Sequence, residues 1–317
     1  MEIAVETFDL TKAYGSTNAL DSLNTKIKRG EILVLLGPNG SGKTTLLHLL
    51  ATVLRPTRGT ATVMGYDIVK QPLKVRETIG ISFQEARGFW RHKPYHILAF
   101  HAAVYGLKGQ ERSELVDKTL KDFDLWPSRN KKFMELSGGQ AKRLEVAKLF
   151  VHRPEVAVFD EPTAMVDLDG KRMIWDRIRG LREQGSTVLV ATNEVREAEY
   201  LADRISIMKG GRDVVTESLR TLKDSISGGD VVEVSMSPAI TSAALKAVSE
   251  IPGTVRVTQA TEDTFNAFVN RSEDWLPQMM ASVQTLNVKV TSIRVSEPSL
   301  DDVFLHYTGK EAESASA

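Results

Sequence analysis

The sequence contains no cysteine, which excludes disulfide bonds and thiolate metal sites and fits a reducing compartment. No apolar run approaches the roughly 20 residues that a membrane-spanning helix requires, so we expect contact with a membrane only through a partner. The first residues lack the basic and apolar segments of a signal peptide. Lys+Arg and Asp+Glu are equal at 41 each, so no overall basic field favours nucleic acid. The remaining composition is that of an ordinary globular protein, and 317 residues suffice for two domains.

A glycine-rich segment at residues 37–45 has the pattern G-x-x-x-x-G-K-[ST]. Its fixed positions are all matched, by Gly37, Gly42, Lys43 and Thr44. Apolar residues predict a buried strand at 31–36 and a helix at 44–53. Glycines let backbone N–H groups turn towards a phosphate chain, and the helix N-terminus adds its dipole. The segment therefore predicts a nucleoside triphosphate site, with Lys43 at the β- and γ-phosphates and the Thr44 hydroxyl on Mg²⁺.

Polar side chains follow three further predicted strands. Gln84 comes after one apolar strand, Asp160 and Glu161 end the next, and Asn193 follows a third. In an alternating strand–helix pattern, ligands bind at the carboxyl ends of the parallel strands. One carboxylate at such an end can hold Mg²⁺ and a second can activate water. The alternatives are capping of the next segment for the two acids and simple solvation for Gln84.

The motif Leu-Ser-Gly-Gly-Gln at residues 136–140 opens a helix that we expect to run to about residue 151. By itself, a Ser/Gly start is either an ordinary helix start or an anion-binding one. Because it is the second such terminus in the chain, it indicates a second nucleotide or the other side of the same nucleotide.

Strands and helices alternate from residue 31 to 208, which predicts a mostly parallel, doubly wound α/β sheet. An antiparallel β-meander is predicted before it at residues 3–27, and a helical subdomain at about 88–150. A linker is predicted at 225–229. We therefore place the first domain at residues 1–225.

The pattern after the linker is β-α-β-β-α-β, which predicts a ferredoxin-like α+β domain at residues 228–309. The polar tail at 310–317 is predicted to be disordered. RNA-binding domains share this topology, but residues 228–310 hold six Lys/Arg against ten Asp/Glu, and an acidic domain does not bind phosphates. Amino-acid-binding modules share it too, and we expect a dimerisation or regulatory role.

Taken together and in this order, the P-loop, Gln84, the motif at 136–140 and the acids Asp160 and Glu161 resemble the ATP-binding subunit of an ABC transporter. The resemblance covers about residues 3–225, and the intact Leu-Ser-Gly-Gly-Gln signature is its most specific part. It implies the P-loop NTPase cassette fold, with ATP and Mg²⁺ as cofactors and ATP hydrolysis as the reaction.

The resemblance also implies a role for each matching residue. The nucleotide-binding residues are Tyr14, Gly37, Pro38, Asn39, Gly40, Ser41, Gly42, Lys43, Thr44 and Thr45. The signature residues, which contact the ATP of a partner chain, are Leu136, Ser137, Gly138, Gly139 and Gln140. Glu161 is the implied general base, and Asp160 and Gln84 are the implied Mg²⁺ ligands beside Thr44. Tyr14 is implied to stack on adenine, although a strand tyrosine considered alone is more typical of packing.

Two positions depart from the family pattern. Residues 164–167 are Ala-Met-Val-Asp where a small residue and Gly-Leu-Asp are usual, so only Asp167 of the D-loop is kept. Asn193 stands where the family has a histidine, and an asparagine side chain is shorter and cannot carry a proton. We therefore expect normal ATP binding and slow hydrolysis.

The C-terminal segment at 298–309 is similar to that of the drug- and antibiotic-exporter branch, whose ATPases pair with a separate ABC-2 type permease. We expect a homodimer that sandwiches two ATP molecules head to tail, bound peripherally at the cytoplasmic face of the cell membrane. The alternative, an ABC ATPase that acts on ribosomes or nucleic acid, is disfavoured by the single cassette and the neutral charge. Phe89, Trp90 and the loop to Tyr95 are the predicted permease contact, or else they fill the core of the helical subdomain.

Overall fold

The computed structural model describes residues 2–86, 90–225, 229–237, 241–284, 289–296 and 299–309. The chain forms two compact units, the first ending at Ser218 and the second beginning at Leu219. Residues 219–225, which the sequence analysis includes in the first domain, form a helix that groups with the second unit. Phe89 and the tail at 310–317 lie outside the described residues. No helix in the described part of the chain is long and apolar enough to cross a membrane.

The first unit combines two sheets with helices. Its strands are β1 (Ile3–Tyr14), β2 (Thr17–Leu23), β3 (Lys26–Lys28), β4 (Ile32–Leu36), β5 (Arg58–Val63), β6 (Tyr66–Asp67), β7 (Ile79–Ser82), β8 (Val156–Asp160), β9 (Thr187–Thr192), β10 (Arg204–Lys209) and β11 (Arg212–Glu217). Its helices are α1 (Lys43–Leu50), α2 (Pro72–Thr78), α3 (Pro94–Val104), α4 (Gly109–Asp122), α5 (Gly138–Ala147), α6 (Leu168–Glu183) and α7 (Val195–Leu201). Short 3₁₀ helices lie at Trp126–Ser128, Phe133–Glu135 and Lys148–Val151.

The larger sheet has the strand order β11-β10-β4-β9-β8-β7. Its neighbouring strands from β10 to β7 are parallel, and β11 closes the edge as an antiparallel hairpin with β10. Strands β4, β8 and β9 are buried at every residue, as expected where a parallel sheet is covered on both faces. The predicted parallel α/β sheet is confirmed, and the carboxyl ends of β4, β7, β8 and β9 share one edge.

The smaller sheet is antiparallel, with the order β2-β1-β5-β6 and with β3 also paired to β1. Apolar residues of β1 and β2 join the core beneath the P-loop helix, and they include Val5, Leu10 and Leu20. The predicted N-terminal antiparallel sheet is therefore present, and it forms one wall around α1.

Helix α6 shows how sequence periodicity positions the site. Ile174, Ile178 and Leu181 follow the helical repeat and are buried. Asp167 caps its N-terminus, because the Asp167 carboxylate accepts a hydrogen bond from the Gly170 N–H at 2.9 Å. The cap ends the loop that leads out of β8, so it fixes where the segment after Glu161 turns back towards the sheet.

The second unit has a β-α-β-β-α-β core between two further helices. Its elements are α8 (Leu219–Ser225), β12 (Asp230–Ser237), α9 (Ser242–Ser249), β13 (Thr254–Gln259), β14 (Thr264–Val269), α10 (Ser272–Gln284), β15 (Lys289–Ser296) and α11 (Leu300–Thr308). The strand order is β13-β14-β12-β15 with antiparallel neighbours throughout, which confirms the ferredoxin-like prediction. Its core includes Val232, Val234, Phe265, Trp275 and Met279.

Candidate nucleotide site

The glycine-rich segment folds as the strand–loop–helix that phosphate binding needs. β4 ends at Leu36 and α1 begins at Lys43, directly after Gly42. Gly42 has a φ of +103°, and a Cβ there would lie 2.4 Å from the Ala19 carbonyl oxygen, so only glycine fits. The loop therefore packs tightly against β2 and leads directly into the helix N-terminus.

Lys43 is buried inside this loop, with only 5% of its surface exposed. Its ammonium donates hydrogen bonds to the carbonyl oxygens of Gly37 at 2.7 Å and Pro38 at 3.3 Å. The same nitrogen lies 4.0 Å from the Glu161 carboxylate. A fixed positive charge thus stands at the centre of the loop, opposite an acid from the end of β8.

A pocket of about 390 Å³ lies over the loop. It is lined by Ala19, Asn39, Gly40, Ser41, Gly42, Lys43, Thr44, Thr45, Gln84 and Glu161. Four segments that are distant in sequence therefore meet here, and three of them come from the shared sheet edge, as predicted. Among the described residues, neither the signature nor Tyr14 lines this pocket.

Thr44 and Asp160 meet at the floor of the site. The Thr44 hydroxyl donates a hydrogen bond to Asp160 Oδ1 at 3.1 Å, and Asp160 is fully buried. Burial raises the pKa of the Asp160 carboxyl. Its other oxygen, Oδ2, is buried without a hydrogen-bond partner. A hydroxyl beside an unsatisfied buried carboxylate oxygen fits the oxygen ligands that Mg²⁺ prefers.

Glu161 is held in an unusual backbone conformation. Its φ is 46°, in the left-handed region, and its N–H donates to the Ala191 carbonyl oxygen at 2.8 Å. Such a conformation costs on the order of 1–3 kcal/mol and persists only where the surroundings hold it. The backbone of β9 therefore helps to aim the Glu161 side chain at Lys43.

The environment of Glu161 favours its neutral form. The pKa of Glu161 is raised to about 7, mainly by burial. The positive charge of Lys43 opposes this rise, whereas the nearby acids Glu197 and Asp160 add to it. A carboxyl that titrates near neutral pH can accept a proton from water more readily than an ordinary exposed glutamate.

Asn193 is connected to Glu161 through its main chain. The backbone N–H of Asn193 donates a hydrogen bond to the Glu161 carboxylate. The residue is half-buried and follows β9 directly. Residue 193 therefore lies beside Glu161, and the hydrogen bond between them is donated by the main chain and does not depend on the side chain at position 193.

The signature motif lies at the start of α5. Ser137 and Gln140 form a capping box, with hydrogen bonds of 3.2 Å in each direction between side chain and backbone N–H. Ser137 and Gly138 are exposed. A Cβ at Gly139 would lie 3.2 Å from the Met165 carbonyl oxygen, so the D-loop packs against the signature of the same chain.

Met165 stands in the D-loop position where glycine is usual. It has a φ of 64° and is 88% exposed. The backbone has therefore kept a left-handed conformation that glycine adopts without strain, although a methionine now occupies it.

Two predicted aromatic contacts are exposed. Tyr14, at the end of β1, is 52% exposed, with the Lys12 ammonium 5.2 Å from the centre of its ring. Trp90 is 74% exposed, so it does not fill the core of the helical subdomain. Its carbonyl oxygen accepts a hydrogen bond from the Met134 N–H at 3.2 Å, two residues before the signature begins.

The sequence pattern missed Lys142, which is only 3% exposed. Its ammonium donates to the carbonyl oxygens of Phe83, Gln84 and Asp160, at 3.0, 2.9 and 3.0 Å. Burial lowers its pKa to about 8, against the opposing effect of nearby acids. A lysine two residues beyond the signature carries no local signal of burial, because its acceptors lie just after β7 and at the end of β8.

The sequence pattern also missed Glu197, a fully buried acid on α7. Its Oε1 accepts hydrogen bonds from Thr163 Oγ1 at 2.9 Å and from Trp175 Nε1 at 2.8 Å. Here a signal existed, because position 197 shares the buried face of α7 with Leu201, one helical turn later. An acid on an apolar helix face indicates a buried polar network.

Comparisons with known proteins agree with this geometry. The ABC transporter family matches residues 20–164, and the family "ATP-binding protein DrrA1-3-like, C-terminal domain" matches residues 218–308. The chain is 34% identical, over 95% of its length and 94% of the relative, to the daunorubicin resistance ATP-binding protein DrrA3 of Streptomyces coeruleorubidus. It is 28% identical, over 95% of its length and 97% of the relative, to the linearmycin resistance ATP-binding protein LnrL of Bacillus subtilis.

A solved structure of similar fold is a dimeric ATP-binding cassette in a post-hydrolysis state, bound to ADP and Pi. It aligns with a TM-score of 0.64 at 28% identity, over 68% of this chain and 99% of that one. The chain therefore belongs to the ATP-binding subunits of ABC transporters, among the drug- and antibiotic-resistance relatives, and is an ATPase with ATP as its nucleotide.

Proposed function

We propose that this chain powers the export of a substrate through a separate ABC-2 type permease, by ATP-driven closure of a head-to-tail homodimer. The observation that carries the proposal is the meeting of Thr44 with Asp160 and of Lys43 with Glu161 at one P-loop pocket. Relatives named for resistance to daunorubicin and linearmycin support an antibiotic-like substrate. The chain would then be bound peripherally at the cytoplasmic face of the membrane.

ATP occupies the pocket with its β- and γ-phosphates at Lys43 and along residues 37–45. On ATP binding, the Lys43 ammonium exchanges the carbonyl oxygens of Gly37 and Pro38 for phosphate oxygens. Tyr14 stacks on the adenine, for which its exposed ring is available. Thr44, Asp160 and Gln84 would hold Mg²⁺, which would neutralise the charge that develops on the phosphates.

Glu161 acts as the general base in hydrolysis. Its carboxylate lies in the pocket and is held by the Asn193 backbone N–H. A base with a pKa of about 7 is suited to accept the proton of the attacking water at neutral pH. The side chain of Asn193 supplies one amide donor in place of an imidazole, so turnover is slow.

The second half of each site comes from a partner chain. Ser137 and Gly138 are exposed at a helix N-terminus, and among the described residues no signature residue lines the chain's own pocket. A two-fold dimer brings the signature of each chain to the ATP of the other. Asp167 and its D-loop lie beside the signature and enter the same interface.

The permease docks on the segment around Trp90. This large exposed aromatic residue is the kind that anchors an interface. The main-chain hydrogen bonds from Phe133 to His92 and from Met134 to Trp90 link the segment to the approach to the signature. Movement of the signature on dimer closure is thereby transmitted to the permease.

The decisive experiment is Glu161→Gln, measured by light scattering with ATP and Mg²⁺. We expect the variant to bind ATP, to hydrolyse it on the order of 10²-fold more slowly, and to accumulate as a dimer. Glu155→Gln is the matched control, because Glu155 precedes the other end of β8 and pairs with Arg29 at 3.2 Å. A Glu161→Gln protein that stays monomeric with ATP, or turns over normally, would contradict the proposal.

Coupling to a permease is tested by co-expression with a candidate six-helix partner, followed by fractionation. We expect the chain in the membrane fraction only when the permease is present, and Trp90→Ser to be released while it keeps its ATPase activity. Co-sedimentation with ribosomes would instead favour the alternative class of ABC ATPase.

A further inference from the structure

Lys142 ties three segments of the site together from inside the protein. It lies on α5, two residues beyond the signature, and its ammonium donates to three main-chain carbonyl oxygens. Two of these belong to Phe83 and Gln84, where the chain leaves β7, and the third belongs to Asp160 at the end of β8. The three acceptors are thus at the carboxyl edge of the sheet, where the predicted catalytic side chains begin.

A buried ammonium is costly to desolvate, and it is stable only if its donors are satisfied. The Lys142 ammonium has three N–H donors and three carbonyl acceptors, at N···O distances of 2.9–3.0 Å, so all its donors are satisfied. Charge-assisted hydrogen bonds of this kind are about twice as strong as neutral ones. The Lys142 side chain therefore restrains the main chain at the ends of β7 and β8 against one another.

We propose that Lys142 is a positioning residue that sets the distance between the Gln84 and Glu161 side chains by restraining the main chain of both segments. The inference rests on the proposed roles of these two residues in hydrolysis. Gln84 provides one of the three acceptor carbonyl groups. Asp160 provides another, and Glu161 is the next residue in the chain. A shift of either main chain moves the base or the glutamine relative to the γ-phosphate.

The position of Lys142 adds a second consequence. α5 begins at the signature, which in the proposed dimer contacts the partner's ATP. Lys142 therefore connects the signature helix to Gln84 and Asp160, which lie at the chain's own nucleotide site. Displacement of α5 on dimer closure therefore moves the carbonyl groups of Gln84 and Asp160 with it. Lys142 links formation of the dimer to alignment of the base.

The test compares Lys142→Met, Lys142→Gln and Lys142→Arg with the matched control Arg143→Met. Arg143 is the next residue on α5, and its guanidinium forms an ion pair with Asp124 at 2.9 Å. This ion pair does not involve the carboxyl edge of the sheet, so the variant controls for loss of a positive charge on the same helix. Each full-length protein is measured for thermal stability, ATP affinity in a direct binding assay, kcat, KM, and the Mg²⁺ concentration that gives half the maximal rate.

We expect Lys142→Met and Lys142→Gln to lower kcat on the order of 10²-fold, because misplacement of a catalytic group by about 1 Å has this effect. ATP affinity and KM should change by less than about threefold, the pattern of an interaction that matters mainly in the transition state. The Mg²⁺ requirement should rise, because the main chain of Asp160 is released. Lys142→Arg should restore part of the rate, and Arg143→Met should resemble the wild type.

Folded Lys142 variants with wild-type kcat and an unchanged Mg²⁺ requirement would overturn the inference. So would a loss of folding in both Lys142→Met and Lys142→Gln, because Lys142 would then be a purely structural residue. Failure of the proposed function would give a different result. The wild type would then lack ATP-dependent dimerisation or ATP hydrolysis, or the Glu161→Gln variant would hydrolyse ATP at the normal rate.

Discussion

Replacing Glu197 with glutamine tests how the buried acid on α7 behaves in the folded protein. Burial raises its pKa, and hydrogen bonds from Thr192, Trp175 and Thr163 oppose that rise only in part. Glutamine keeps the carbonyl oxygen that accepts from Thr163 and Trp175. Its amide nitrogen replaces Oε2, which is buried without a hydrogen-bond partner. The substitution therefore removes the ionisation of Glu197 and leaves its acceptor in place.

The sign of the pH effect follows from linkage. Between the ordinary glutamate pKa and the raised folded value, the folded wild type binds more protons than the unfolded chain does. Its free energy of unfolding therefore falls as pH rises through this window, by at most about 1.4 kcal/mol per pH unit. The glutamine variant lacks this loss, so its stability relative to the wild type should increase with pH.

Glu197→Ala provides the contrast in magnitude. It leaves the buried Trp175 N–H and Thr163 hydroxyl without their acceptor, at about 1–3 kcal/mol each, and it opens a cavity. We expect a loss of about 3–6 kcal/mol at pH 5, which narrows at higher pH because alanine also removes the ionisation at position 197. Such a loss would be a large fraction of the stability of an ordinary domain.

The assay is urea unfolding at several pH values between 5 and 8.5, followed by tryptophan fluorescence. Trp175 is a local probe, because its indole N–H bonds to Glu197 at 2.8 Å. Glu183→Gln, at the exposed end of α6, is the control for loss of an acid elsewhere in the unit. A difference between Glu197→Gln and the wild type that stays constant across this pH range would refute the reasoning.

Further predictions concern the nucleotide, the switch position and the two units. Lys43→Ala should abolish tight ATP binding, because it removes the cation that faces the phosphates; retained affinity in a direct binding assay would reject the P-loop assignment. Asn193→His should raise kcat by up to about 10²-fold with little change in KM, and a variant that is no faster would show that asparagine is a neutral replacement. Deletion of residues 219–317 should leave a folded, ATP-binding first unit, and an insoluble or molten product would mean that the units depend on each other.

The features predicted from sequence are those that local pattern determines. The fixed glycines and lysine of the P-loop, the apolar strands and the two acids at the end of β8 each carry their signal within about ten residues. The parallel sheet then brings Gln84, Thr44 and Glu161 to one pocket, because strand ends in such a sheet share an edge. The positions of these three residues therefore follow from the strand–helix pattern alone.

The contacts that were not predicted join segments far apart in sequence. Lys142 lies 59 residues from Phe83, and Trp175 lies 22 residues from Glu197. Nothing in the local pattern distinguishes Lys142, which is buried, from Arg143, whose partner is an exposed aspartate. The three-dimensional packing alone decides which of two adjacent basic residues is held at the sheet edge.

The same packing explains how the switch position can vary in a chain that keeps its P-loop, its signature and the two acids at the end of β8. The main chain holds Glu161 on both sides: its N–H bonds to Ala191, and its carboxylate receives the backbone N–H of Asn193. Neither hydrogen bond depends on the side chain at position 193. A substitution of the usual histidine therefore leaves both hydrogen bonds of Glu161, the proposed base, in place. We expect it to change only what the side chain offers to the γ-phosphate. This is why we expect asparagine to reduce the rate of hydrolysis while ATP binding and the aim of Glu161 are preserved.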